Sequence, residues 1–106
     1  MIEHMTDENY DAIVDAADKP ILIDFHAKWC GPCRAMTPIV EKVAEERADK
    51  LTVCEVDADT STELTTRYNV VSIPLFVIIR DGKLVARSVG MMPKRELDEW
   101  IDEAIR

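Results

Sequence analysis

Ile21-Leu22-Ile23-Asp24-Phe25-His26-Ala27-Lys28-Trp29-Cys30-Gly31-Pro32-Cys33 is the stretch on which the fold turns. Its first half, Ile21 to Ala27, is short, apolar and rich in β-branched and aromatic types, which predicts a buried strand. A C-x-x-C follows where the strand pattern gives way to a helical one. Met36, Ile39, Val40, Val43 and Ala44 then fall on one helical stripe. Pro38 lies inside that helix and should kink it, because its ring removes a backbone donor and clashes with the preceding turn.

On the N-terminal side, Ile2 to Met5 reads as a short first strand. Thr6 or Asp7 then caps a helix with Tyr10, Ile13, Val14 and Ala17 on one face, and Pro20 ends the segment. On the C-terminal side, Leu51 to Val56 is a third strand, and Thr60-Ser61-Thr62-Glu63 fits a capping box opening a short helix through Leu64 to about Tyr68. Leu75 to Ile79 is a buried strand, Asp81-Gly82 a two-residue hairpin turn, and Leu84 to Val89 the returning strand, broken by Gly90. Pro93 suits the first turn of a last helix with Leu97, Trp100, Ile101, Ala104 and Ile105 on one stripe. Alternating strands and helices followed by a hairpin predict an α/β chain of three layers, α/β/α, with helices on both faces of a mixed sheet. That sheet has about five strands, with four flanking helices.

The 106 residues suffice for one domain, 1–106, with a single real core. No linker, repeat or low-complexity segment interrupts them. The apolar fraction of 47% argues against intrinsic disorder. Thirteen basic residues against 21 acidic ones give a formal charge of -8, which argues against binding nucleic acid or an anionic membrane surface. The longest mainly apolar stretch, Val70 to Ile79, is half a membrane span and contains Ser72 and Pro74. Met1 to Asp11 has no apolar signal-peptide core, so a cytoplasmic protein is expected. Three cysteines are too few for a secreted disulfide scaffold.

Cys30 and Cys33 sit at a helix start, where residues three apart share a face and their Cα atoms can meet the spacing of a disulfide. Free amides and the positive end of the helix dipole favour a thiolate at Cys30. Cys30 is then the attacking sulfur, and Cys33, one turn deeper, resolves the mixed disulfide. Pro32 stiffens the short loop. The competing reading is half a zinc site, for which only Cys54, His26 and His4 remain as ligands, with no second C-x-x-C. An iron–sulfur cluster would normally need four thiolates. No metal site is expected.

Trp29-Cys30-Gly31-Pro32-Cys33 resembles the active site of the thioredoxin family. Asp24-Phe25 precedes it at that family's spacing, Pro38 matches its helix-kinking proline, Ile73-Pro74 its cis-proline and Gly90 its late glycine. The resemblance implies the α/β/α sheet described above and reduction of protein disulfides. It implies a redox-active Cys30–Cys33 disulfide with no bound cofactor, and a monomer. Its partners would be disulfide-containing client proteins and a flavoprotein reductase drawing on NADPH. It also implies a substrate-binding set of Trp29, Gly31, Pro32, Ile73, Pro74 and Gly90, with the Ile73 backbone pairing an extended substrate. Asp24, an acid in mid-strand whose pKa burial should raise, becomes the proton acceptor for Cys33. It is expected to be protonated in the reduced protein at neutral pH.

Three positions depart from the family pattern. Glu55 stands where lysine is frequent, and if it points at Asp24 it should raise that carboxyl further. His26 stands where an aromatic, often tryptophan, is common; it either packs partly exposed, or tunes the thiolate or changes partner choice with pH. Leu75 replaces a frequent threonine and should make the rim more apolar. Cys54 is expected in the core, Tyr68, Met91 and Met92 on the recognition surface or packed, and Glu96, Asp98, Glu99, Asp102 and Glu103 on a solvated helix face. A redox-independent adaptor that uses the fold only to bind partners is the alternative of another class. An oxidase or isomerase is the alternative within redox chemistry, and Gly-Pro between the cysteines argues against it by family analogy.

Overall fold

Alternation along the central strands divides their side chains between two layers. In a computed structural model, which describes residues 2–106, the elements are β1 (Ile2–His4), α1 (Tyr10–Ala16), β2 (Ile21–His26), α2 (Gly31–Glu46), β3 (Thr52–Asp57), α3 (Thr62–Arg67), β4 (Leu75–Arg80), β5 (Lys83–Val89) and α4 (Lys94–Ile105). The strands form one five-stranded sheet in the order β1-β3-β2-β4-β5. β3 pairs parallel with both β1 and β2, while β4 runs antiparallel to β2 and to β5. This is the expected mixed sheet, with β4 the reversed strand.

Ile21, Ile23 and Phe25 of β2 point into one layer with Cys54, Val56, Leu75, Val77 and Ile79, under Tyr10 of α1 and Leu64 of α3. Leu22 points the other way with Val53, Phe76 and Ile78, under Met36, Val40 and Val43 of α2 and Leu97 and Ile101 of α4. Val77 and Ile78 are fully buried on opposite faces. A strand apolar on both faces reads as a continuous hydrophobic run, as Leu75 to Ile79 does.

The β4–β5 turn has Asp81 at φ 54° and Gly82 at φ 76°. Two consecutive left-handed residues match the twist of the flanking strands, and Asp-Gly adopts them at low cost.

The start of α3 differs from expectation. Ser61 makes no side-chain cap. The free amides of Glu63 and Leu64 instead donate to the two Asp7 carboxylate oxygens, at 3.1 and 2.9 Å. Asp7 thus caps α3 rather than α1. Before α1, Thr6 and Asn9 exchange bonds: the Asn9 amide donates to Thr6 Oγ1 at 3.2 Å and the Thr6 amide to Asn9 Oδ1 at 2.7 Å.

The acids of α4 are not all solvated. Arg47, after the end of α2, donates to Asp98 Oδ1 at 3.2 Å and Asp102 Oδ1 at 2.8 Å. Lys94 joins Asp98 to Glu46. The long α2 is thereby tied to α4 at its far end, leaving its N-terminus at the opposite edge of the sheet. No described helix is long and apolar enough to cross a membrane.

Candidate active site

Strand directions bring four separate segments to one edge of the sheet. β2 and β3 are parallel, so their C-terminal ends lie side by side. β4 is antiparallel to β2, with Leu75 opposite Phe25, so its beginning meets the end of β2. β5 is antiparallel to β4, with Val89 opposite Leu75, so its end arrives there too. The chain before β4, the loop after β2 and the residue after β5 therefore converge. The amide of Gly90 donates to the Pro74 carbonyl at 2.8 Å.

Cys30 is the N-cap of α2, with extended backbone, and its Sγ accepts from the Cys33 amide at 3.2 Å. One of the orphan donors of a 16-residue helix is thus aimed at this sulfur, at the positive end of the dipole. Cys30 and Cys33 are joined as a disulfide with Cα atoms 5.2 Å apart, inside the range that bond requires. Both are buried. Ala27 and Ile73 pack against them, and Cys30 Sγ lies 4.0 Å from the Ile73 carbonyl. The Ile73–Pro74 bond is cis.

The approach is left open by small or exposed groups. Gly31 and Pro32 are exposed, and a Cβ on Gly31 would meet no atom within 4 Å. Gly90 holds φ 98°, which other residues adopt only under strain. Trp29 is 69% exposed, and its indole Nε1 donates to Asp59 Oδ2 at 2.9 Å. Val71 and Met91 add exposed apolar surface. Sequence reasoning missed Asp59 and Val71. The signal for Asp59 was its place just beyond β3, beside the end of β2.

Asp24 lies on the face that α2 covers, directly opposite Glu55 on β3 and Phe76 on β4. It is 6% exposed, and its Oδ1 has no hydrogen-bond partner. Burial raises its pKa from 3.8 to about 7; His26 pulls it down and Glu55 pushes it up. Glu55 does bear on Asp24, while its Oε1 pairs with the exposed His4 Nδ1 at 3.1 Å. His26 is partly buried with an unpartnered Nδ1.

One further expectation needs correction, and the remaining residues take their places in the core. Leu75 is fully buried in the layer under α1 and α3, so it fills the core and does not line the rim. Tyr68 is also in that core, its hydroxyl bonded to that of Tyr10. Met92 packs toward α4. Cys54 is fully buried, and burial pushes its thiol up to about 12. Among the described residues no cluster of three or more His, Cys, Asp or Glu is placed to hold a metal.

The family model for thioredoxin matches residues 1–103. A thioredoxin of Mycobacterium tuberculosis is 43% identical over 101 residues, covering 95% of this chain and 87% of its own. Thioredoxin C-2 of Corynebacterium nephridii is 38% identical over 104 residues, 98% and 96% of the two chains. A thioredoxin of Alicyclobacillus acidocaldarius subsp. acidocaldarius is 37% identical over 102 residues, 96% of each.

Proposed function

The chain belongs to the thioredoxin family, and on that premise we propose that Cys30 attacks and Cys33 resolves in a protein-disulfide reductase working in the cytoplasm. Its activity is thiol–disulfide exchange through the Cys30–Cys33 pair.

In the reduced protein the Cys30 thiolate is held at the start of α2, where the Cys33 amide supports the negative charge. It attacks one sulfur of a client disulfide. A Cys30 Sγ–client bond forms, the client S–S bond breaks, and the other client sulfur leaves with the electron pair. Cys33 then gives its proton to Asp24 in its ionised form, which burial makes one of two forms present near neutral pH. The Cys33 thiolate attacks Cys30 Sγ, the mixed disulfide breaks, and the second client sulfur departs. The client gains two electrons, its two thiolates take up one proton returned by Asp24 and one from solvent, and the Cys30–Cys33 disulfide is left.

The Ile73 backbone and the surface of Trp29, Gly31, Pro32, Pro74 and Gly90 receive the client as an extended segment. The disulfide itself carries the electrons, so the reaction calls for no resident cofactor. A dithiol of a flavoprotein reductase, fed by NADPH, restores the pair.

The observation that carries the assignment is the Cys33 amide directed at Cys30 Sγ on the helix N-cap. Trapping tests it. Cys33→Ser should accumulate a stable mixed disulfide with an insulin chain, and Cys30→Ser should trap none. The reverse pattern would exchange the two roles. Redox titration in graded dithiothreitol buffers should give one two-electron step at a strongly reducing potential. A markedly more oxidising step would favour an oxidase or isomerase.

A further inference from the structure

Asp24 and His26 occupy alternate positions of β2 and so face the same layer, the one α2 covers. Each carries a buried polar atom without a partner, Asp24 Oδ1 and His26 Nδ1. Such an atom has lost its water without gaining a partner in exchange, which costs stability. The two stand two residues apart on one face of a single strand, one on an acid and one on a base, close enough to act on each other by charge though not bonded to each other.

We propose that His26 is a positioning residue for the proton step: its imidazole takes up charge as Asp24 gives up a proton, so that the two side chains hold one proton between them around neutrality. Asp24 then remains a carboxylate, ready to accept from Cys33, at a pH where a lone buried carboxyl would already be neutral. This rests on Asp24 being the acceptor for Cys33.

The surroundings favour the pair. Of the influences on Asp24, burial and Glu55 both oppose the carboxylate, and His26 alone supports it. From β3, Glu55 faces Asp24 and Asp57 stands opposite His26. Glu55 is engaged by His4 of β1, and Asp57 Oδ1 accepts from the Asp59 amide at 2.9 Å. From β4, Phe76 opposite Asp24 brings no charge. From α2 come the apolar Met36 and Val40 and, at its first turn, Cys33, while Glu41 and Glu45 line the groove that Glu55 shares. The cations of the connecting stretch, Lys28 and Arg34, are exposed, and Arg34 donates to the Lys28 carbonyl at 2.8 Å. An imidazolium at position 26 therefore has an acid on its own strand and two on β3, and among the described residues no cation is buried beside it.

In the step itself His26 makes and breaks no bond to sulfur. The proton leaves Cys33 Sγ for Asp24, the Cys33–Cys30 bond forms, and the client sulfur leaves with the electron pair. An imidazole is suited to the task because its charge changes between pH 5 and 8.

The test follows the Asp24 carboxyl carbon and the His26 ring by NMR in the reduced protein across the neutral range. It uses wild type, His26→Gln, which stays neutral, and His26→Trp, which restores bulk if Gln packs poorly. A nitrobenzoate disulfide reagent reports the resolution rate through its second released thiolate. In wild type the two groups should titrate as a coupled pair, each curve showing two inflections. In both variants Asp24 should show one step, moved to higher pH. Resolution should then slow about threefold or more near pH 6, and by up to about tenfold if the Asp24 midpoint climbs by a full pH unit, and recover near pH 8.5. An unchanged Asp24 curve and rate profile, or a slowing equal at every pH, would overturn the proposal. Asp24→Asn separates the two readings. If it slows resolution while His26→Gln changes nothing, only the His26 inference fails; if Asp24→Asn leaves the rate untouched, the acceptor assignment fails and takes this inference with it.

Discussion

Asp24 and Phe25 are neighbours in β2, 6% and 0% exposed, and they face opposite layers. Phe25 meets Tyr68 with ring centroids 5.6 Å apart, and the nearby polar atoms, the hydroxyls of Tyr10 and Tyr68, satisfy each other. Asp24 stands opposite Glu55 in a largely apolar layer and leaves an oxygen unpaired. One face of the strand is built for stability alone. The other tolerates an unfavourable carboxylate at the end where the disulfide sits. A buried acid there serves chemistry at the expense of the fold.

Substitutions should break this contrast with opposite signs. The largest effect is expected for Phe25→Ala, which removes a ring from a closed layer and should lower the unfolding free energy by about 3–5 kcal/mol in urea titration. A loss below about 1 kcal/mol would mean that the layer collapses around the gap.

Asp24→Asn should instead stabilise. The folded-state pKa is above the unfolded one, so the folded chain binds the extra proton between 3.8 and about 7 and loses stability as pH rises through that window. The variant escapes this loss. Its gain should be near zero around pH 3, grow through the window, and level off above it at no more than about 4 kcal/mol. A gain independent of pH would refute burial of the charge as the cause.

Asp7→Ala should cost about 1 kcal/mol by uncapping α3 from a distance. Amide exchange at Glu63 and Leu64 should quicken with it, and unchanged exchange would show that water replaces the carboxylate. The smallest effect is expected for Glu55→Gln. Removing that charge should lower the Asp24 midpoint by a fraction of a pH unit, read on its carboxyl carbon, because burial remains the larger cause.

Legibility followed the range of the interaction. The apolar run of β-branched and aromatic types from Ile21 to Phe25, the stripe on α2 and the Asp81-Gly82 turn are local patterns, and each is readable from neighbouring residues. The cysteines are legible because a strand-to-helix junction fixes their setting. The capping box at Thr60 to Glu63 is a local pattern overruled by Asp7, far away in the chain, and nothing near either segment announces that bond. Leu75 misleads because it follows Pro74 in sequence, yet the pleat turns its side chain into the core. Whether Glu55 bears on Asp24 depends on the β2–β3 register, which sequence leaves open. Asp59 needs the same register to be seen beside Trp29.

Cys54 gives the molecule an internal gauge of its own integrity. Its thiol is sealed in the core and its proton held far above neutrality, so an alkylating label meets it only when the sheet opens. Folded reduced chains should take labels on the working pair alone and folded oxidised chains none, while unfolded reduced chains are labelled at Cys54 too. One mass spectrum thus reads the oxidation state of the working pair and, from the third label, the share of chains that have come apart.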